Sequence, residues 1–192
     1  QIESTGASYL LGLSALSDRG RQVSTSYGSQ NLVGTGPDVI TAISTGLQLA
    51  LVATVAVVLA RRLREADTAG APRVFVAAVA TTLAGMLATG KVLSPQFLVW
   101  LLPACLLVAG RYRLHAMVAT AGAMVVTQLY FPYRYWELVA LQDRPVALLA
   151  IRNALLIVLV AACWPRRNQS QGMLKERIDV ARPSAPASIT AP

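Results

Sequence analysis

Long unbroken runs of apolar residues, separated by short polar segments, are the feature that most constrains the fold of this chain. A helix that spans a bilayer needs roughly 20 mostly apolar residues, because hydrocarbon offers its backbone groups no hydrogen-bond partners. Of the 192 residues, 55% are hydrophobic and 14% are charged, whereas a soluble domain averages about 45–50% and about 25%. The sequence therefore predicts an all-α fold, a polytopic transmembrane helical bundle.

The apolar runs predict about five spanning helices within a transmembrane region over residues 39–164. The five runs cover about residues 39–60, 74–90, 95–110, 114–131 and 146–164.

Polar segments flank this region on both sides. Residues 1–38 contain one apolar stretch, at about 7–16, which is too short to span and predicts an interfacial or re-entrant helix. Residues 24–37 are rich in Gly, Ser, Thr and Asn, and predict a loop. The tail over residues 165–192 is polar and then rich in Pro, Ala and Ser, which predicts a disordered segment.

The basic residues, which give a formal net charge of +8, lie mainly in short clusters next to apolar runs. Residues 61–64, 111–113 and 166–167 follow the first, third and fifth predicted helices. Because cytoplasmic loops carry an excess of Lys and Arg, the clusters predict an extracytoplasmic N-terminal segment and a cytoplasmic C-terminus. Nucleic acid is not an expected partner, since no basic helix with interleaved aromatic residues is present.

The residues that most often bind metals are scarce. Cys105 and Cys163 both lie inside apolar runs, where cysteine usually behaves as a small hydrophobic residue. His115 is the single histidine and lies in a basic segment. No spacing typical of a metal site is present, so neither a metal nor a cofactor is expected.

A polar cluster follows the second apolar run and contains Lys91, Ser94 and Gln96. The lysine ammonium is a compact charge suited to a phosphate, and the other two side chains can donate to ligand oxygens. The alternative is structural: Lys91 snorkels to lipid headgroups, and Ser94 caps a helix whose first turn contains Pro95.

Arg152 lies within the fifth apolar run, about two turns from its outer end. An arginine at the bilayer centre costs roughly 2.5–3.5 kcal/mol on insertion scales, so such residues usually face the bundle interior or a water-filled cavity. Arg152 is therefore a candidate for binding a ligand or a partner, and snorkelling is the alternative. Gln128 and Tyr130 are candidates to share the same cavity.

Two segments carry a resemblance to a known family. Residues 91–97 read Lys-Val-Leu-Ser-Pro-Gln-Phe and are followed by Trp100 and Pro103, while residues 1–8 read Gln-Ile-Glu-Ser-Thr-Gly-Ala-Ser. This pattern resembles multi-spanning bacterial glycosyltransferases of the GT-C superfamily, in the group called glycosyltransferase family eighty-seven.

The resemblance implies a polyprenyl-phosphate-linked sugar donor, typically of mannose, and a glycolipid or glycan acceptor at the outer face of the bacterial plasma membrane. It implies that Lys91, Ser94 and Gln96 line the outer cavity and bind the donor phosphate. Arg152, inferred from its burial cost, would be a second phosphate contact. The family's catalytic aspartate lies in the first outer loop of a longer protein. The resemblance therefore implies the C-terminal part of such an enzyme, with its catalytic carboxylate upstream of this chain.

Transfer of a sugar requires a carboxylate base to take the proton of the acceptor hydroxyl. No outer carboxylate has a local pattern that marks it as this base; the five are Glu3, Asp18, Asp38, Glu137 and Asp143.

Two other functions remain open at the level of sequence. One is a truncated, non-catalytic membrane protein that binds a polyprenyl-phosphate lipid or a partner. The other is a small transporter, which would predict inverted repeats or matching broken helices, and the sequence has none that are evident.

Overall fold

The computed structural model describes residues 1–17, 22–68 and 70–166, and most of these are helical. In chain order the elements are α1 (Thr5–Ser17), β1 (Gln22–Ser26), β2 (Ser29–Val33), α2 (Thr35–Glu65), α3 (Ala71–Thr89), a 3-10 helix (Pro95–Trp100), α4 (Leu101–Leu107), α5 (Arg113–Tyr130), α6 (Tyr135–Val139) and α7 (Asp143–Cys163). The predicted disordered tail lies almost entirely outside the described residues.

Three described helices, α2, α3 and α7, are long and apolar enough to cross a membrane. The chain is therefore a helical membrane protein, as its apolar runs predict. The third predicted run divides instead into the 3-10 helix and α4, which together extend only about 22 Å. Helix α5 begins with the polar residues Arg113 and His115, which lower its mean hydropathy. The count of five spanning helices stays a prediction.

One end of the helical bundle, here called the polar end, gathers segments that are distant in sequence. The Leu93 N–H donates to Gln1 Oε1 at 2.8 Å, and the Ile2 N–H donates to the Gln30 carbonyl at 2.9 Å. The N-terminal segment thus connects the turn after α3 to the β1–β2 hairpin. The start of α2 and the end of α5 also lie at this end of the bundle.

The opposite end, the basic end, contains the arginine clusters. The Arg166 guanidinium lies 4.0 Å from the centre of the Tyr112 ring, and that of Arg111 lies 4.7 Å from it. These contacts place the end of α7 beside the start of α5. Since α2 runs away from the hairpin and α3 returns, residues 61–64 lie toward the basic end as well. Which end faces the cytoplasm stays a prediction.

Small residues form the centre of the bundle, where α3, α5 and α7 pack together. The fully buried residues there include Ala80, Ala84, Ala116, Ala123, Leu156 and Leu159. Small side chains allow membrane helices to approach closely, which increases the van der Waals contact between them. Gly85 extends this arrangement to α2, because a Cβ at Gly85 would collide with the side chain of Leu51.

The outer segment differs from its prediction in one element. The predicted loop over residues 24–37 is instead largely an antiparallel hairpin, with Gln22 opposite Val33 and Ser26 opposite Ser29, followed by the start of α2. Tyr27 (φ 51°) and Gly28 (φ 69°) form its two-residue turn, and glycine adopts such angles without steric cost. The predicted short helix is present as α1, whose Leu10 and Leu11 are buried against the rest of the polar end.

Candidate functional site

The turn after α3 is shaped by glycine and proline. Gly90 ends α3 in an extended conformation, and a Cβ there would lie 2.6 Å from the Met86 carbonyl oxygen. Lys91 follows and is exposed, while Leu93 is fully buried and anchors the turn. Pro95 then begins the 3-10 helix. The turn therefore holds a cation at the surface of the polar end, with its backbone fixed by the buried Leu93 and the contact to Gln1.

Two cavities meet at Lys91 and Val92, which line both. The first, here called the apolar cavity, has a volume of about 260 Å³. Its other lining residues are Gln48, Leu83, Met86, Leu87, Gly90, Phe97 and Trp100. A lysine at the margin of an apolar cavity between membrane helices is suited to an anionic group attached to a hydrocarbon chain.

The second, here called the polar cavity, has a volume of about 380 Å³ and opens between α1, α2 and the hairpin. Its other lining residues are Gln1, Ser4, Ala7, Leu10, Ser26, Tyr27, Ser29, Asn31, Leu32, Pro37, Asp38, Ile40 and Thr41. Hydroxyl, amide and carboxylate groups from three separate segments thus surround one space. Lys91 lies on the wall that it shares with the apolar cavity.

Behind the polar cavity lies a buried polar cluster made of Glu3, Ser8, Tyr130, Arg152 and Asn153. The Arg152 guanidinium is fully buried and donates through Nη2 to the Glu3 carbonyl oxygen at 2.6 Å. The Tyr130 hydroxyl donates to Glu3 Oε1 at 3.3 Å. Asn153 Nδ2 donates to Ser8 Oγ at 2.6 Å. The cluster thereby fixes the N-terminal segment and the start of α1 against α5 and α7.

The cluster is incompletely hydrogen-bonded. Arg152 Nε and Nη1 and Asn153 Oδ1 have no hydrogen-bond partner among the described residues. Burial raises the pKa of Glu3 to about 7, although the Arg152 charge and the Tyr130 hydrogen bond act in the opposite direction. The Glu3 carboxyl group therefore changes its protonation state close to neutral pH.

The structure places the four predicted binding residues in different environments. Lys91 lines both cavities, whereas Ser94 and Gln96 line neither of them. Ser94 precedes the 3-10 helix, but its side chain makes no capping hydrogen bond. Arg152 lies in the buried cluster and reaches the cavities only through the segment from Gln1 to Ser4. The binding roles of these residues stay predictions.

Tyr130 and Gln128, the two residues predicted to share a cavity with Arg152, lie in different environments. Tyr130 belongs to the buried cluster with Arg152, whereas Gln128 is exposed. Glu3 and Asp38 had no local pattern that marked them, yet Glu3 belongs to the cluster and Asp38 lines the polar cavity. The predicted outer carboxylate Asp18 lies outside the described residues.

A wider depression of about 670 Å³ lies around α6 and the start of α7. It is lined by Arg134, Glu137, Asp143 and Arg144 among others, and Lys91 is not part of it. Its charged side chains are of both signs, so no single class of ligand is favoured there.

No family model, no curated protein and no solved structure matches the chain. The fold and the site define a helical membrane protein with a lysine between an apolar and a polar cavity at one end.

Proposed function

We propose that the chain is the membrane region of a GT-C-type glycosyltransferase. It transfers a sugar, mannose in our proposal, from a polyprenyl-phosphate donor to a glycolipid or glycan acceptor. The reaction takes place at the extracytoplasmic face of the bacterial plasma membrane. The observation that carries the proposal is the contact between the two segments that resemble the family, made by the Leu93 N–H and Gln1 Oε1 at 2.8 Å.

The surroundings of Lys91 support a lipid-phosphate ligand. A polyprenyl-phosphate sugar has a hydrocarbon chain, a phosphate and a polyhydroxylated ring in linear order. The apolar cavity, Lys91 and the polar cavity follow the same order. The Lys91 ammonium would balance the phosphate charge and would stabilise the additional negative charge that the phosphate acquires as the sugar departs.

Binding and transfer should be measured on the full chain reconstituted in lipid nanodiscs. We expect Lys91→Ala to weaken binding of polyprenyl-phosphate-mannose by about tenfold or more, because a hydrogen bond to a charged group contributes about 1.5–3 kcal/mol. Arg134→Ala is the matched control, since Arg134 is an exposed cation at the same end that lines neither cavity. Equal affinities for wild type and Lys91→Ala would contradict the phosphate assignment.

The second candidate function is a non-catalytic protein that binds the same lipid. The position of Lys91 between the two cavities supports this candidate as well, because it explains lipid binding without requiring transfer. Binding that depends on Lys91, without transfer to any glycolipid acceptor, would support this alternative over the enzyme.

A further inference from the structure

We propose that the polar cavity is a carbohydrate site in which Asp38 accepts hydrogen bonds from two neighbouring hydroxyl groups of the lipid-linked sugar. This inference rests on the proposed function and adds to it the residues that select the sugar.

The size and chemistry of the polar cavity fit a sugar ring. Small-molecule sites usually have volumes of about 300–1,000 Å³, and this cavity measures about 380 Å³. Sugars offer many hydroxyl groups, each a donor and an acceptor, so their sites require side chains of both kinds. Ser4, Asp38 and Thr41 provide these groups from two separate segments that line the cavity.

Asp38 is the strongest acceptor in this wall. It lies in the first turn of α2, and Thr41 follows three residues later on the same helix face. Within the described part of the chain, no hydrogen bond or ion pair involves the Asp38 carboxylate. A carboxylate accepts hydrogen bonds at both oxygens, so it can receive two adjacent hydroxyl groups at once.

The hairpin provides a further, preorganised part of the cavity wall. Asn31 Nδ2 lies 3.1 Å from the Ser26 carbonyl oxygen and 2.9 Å from Ser26 Oγ, which fixes one strand against the other. Because the hairpin is tied by its own hydrogen bonds, little ordering of this wall is needed when a ring enters. Tyr27 at the tip is fully exposed and presents an aromatic ring beside the opening.

The position of Lys91 relates this site to the lipid phosphate. A sugar phosphate places its ring one ester oxygen away from the phosphorus. A phosphate at Lys91 would therefore direct the ring toward Asp38 and the hydrocarbon chain toward Phe97 and Trp100. A bare polyprenyl phosphate would use only Lys91 and the apolar cavity. The two lipids also differ in charge at Lys91, because a bare phosphate monoester is more negative than the sugar-linked diester. The change in their affinity ratio when a polar-cavity residue is substituted therefore isolates the contribution of that cavity.

The test compares polyprenyl phosphate with polyprenyl-phosphate-mannose on the full chain in nanodiscs. We expect Asp38→Asn to lower the ratio of the affinity for the mannose-linked lipid to the affinity for polyprenyl phosphate by about tenfold or more, because hydrogen bonds to a charged group are lost. The affinity for polyprenyl phosphate should not fall in this variant. Asp143→Asn changes another exposed carboxylate at the polar end, and this control should keep the wild-type ratio.

Thr41→Val serves as a second variant, since it removes one hydroxyl group at nearly constant volume and should lower the ratio by a smaller factor. An affinity ratio that both Asp38→Asn and Thr41→Val leave unchanged would overturn the carbohydrate site. This result would not affect the proposed function if Lys91→Ala still weakened binding of both lipids. Binding of both lipids that is insensitive to Lys91→Ala would instead overturn the phosphate assignment.

Discussion

The Arg152 side chain is fully buried, yet its only hydrogen bond within the described residues is to a backbone carbonyl, that of Glu3. Burying a charge is costly unless it is paired, and the carboxyl group that interacts electrostatically with Arg152 is that of Glu3, which is itself buried. The two groups therefore influence each other's charge without forming a direct ion pair. For this reason we regard Arg152 as a residue that positions the segment from Gln1 to Ser4 beside Lys91.

Glu3 makes the stability of the protein depend on pH. Burial raises its pKa from 4.5 to about 7 in the folded protein. Between these values the folded protein holds a proton that the unfolded chain has lost. The free energy of unfolding should therefore fall as pH rises from about 4.5 to about 7, by about 3 kcal/mol, and level off above. Thermal unfolding in detergent across this pH range measures the effect.

Glu3→Gln removes the titrating group while keeping a side chain of the same size. We expect this variant to lose most of the pH dependence and to unfold at a higher temperature than wild type at pH 8. Glu137→Gln is the control, because Glu137 is a carboxylate at the same end of the molecule that lies outside the cluster. A Glu3→Gln profile that still falls between pH 4.5 and pH 7 would be incompatible with this account.

Helix α3 has a buried face and an exposed face. Ala84 is fully buried toward the other helices, whereas Val79 of the same helix is 38% exposed. Enlarging a residue in a close-packed interior forces its neighbours to move, at a cost of typically 1–3 kcal/mol. We expect Ala84→Leu to lower the free energy of unfolding by about this amount. Val79→Leu should leave it nearly unchanged.

Thermal unfolding of both variants in the same detergent provides the comparison. Equal unfolding temperatures for Ala84→Leu and wild type would mean that α3 does not pack as described. Because α3 leads directly into the turn that holds Lys91, its displacement should also weaken lipid binding. Val79→Leu should retain wild-type binding.

The elements differ in how far the sequence could predict them. The runs at 74–90 and 146–164 coincide with α3 and α7 to within a few residues. A long apolar run in a bilayer forms a helix, because its backbone groups must be hydrogen-bonded within the segment. The hairpin was missed since its strands, Gln22–Ser26 and Ser29–Val33, are mostly polar and lack the alternation that marks a half-buried strand. The one sequence feature that indicated the hairpin was the glycine of the Tyr27-Gly28 turn.

Across the whole molecule, the candidate site could be predicted only in part. Lys91 and Arg152 were evident as charges next to or within apolar runs, where any charge requires an explanation. Glu3 and Asp38 were not evident as site residues, because their roles depend on partners that are distant in sequence. The hydroxyl group that contacts Glu3 belongs to Tyr130, 127 residues away. Asp38 and Lys91 line the same cavity only because α2 and α3 pack side by side.

The distribution of exposed apolar surface fits a molecule surrounded by lipid. Only 11% of the most apolar window of α2 is buried within the protein, compared with 50% for α3. In water such a surface would promote aggregation, whereas in a bilayer the lipid chains cover it. Helix α2 thus faces lipid along much of its length, while its first turns contribute Asp38 and Thr41 to the polar cavity.

The number of membrane crossings can be decided at one residue, His115. If α4 and α5 both cross, the start of α5 lies in the cytoplasm; if neither does, it lies outside with the turn after α3. The Arg166 guanidinium lies 4.0 Å from the centre of the Tyr112 ring, so the start of α5 lies beside the C-terminal end of α7. This arrangement favours five membrane crossings. The arginines at residues 111–113 favour the same arrangement by the excess of positive charge in cytoplasmic loops.

The measurement uses a chain in which Cys105 and Cys163, both buried, are replaced by alanine. A membrane-impermeant maleimide should label Tyr133→Cys in intact cells, because Tyr133 is 94% exposed in the turn after α5. It should label His115→Cys only after the cells are permeabilised. Labelling of His115→Cys in intact cells would contradict five crossings. It would also contradict the packing of α5 along α7, since the contact between Tyr112 and Arg166 places the start of α5 at the basic end.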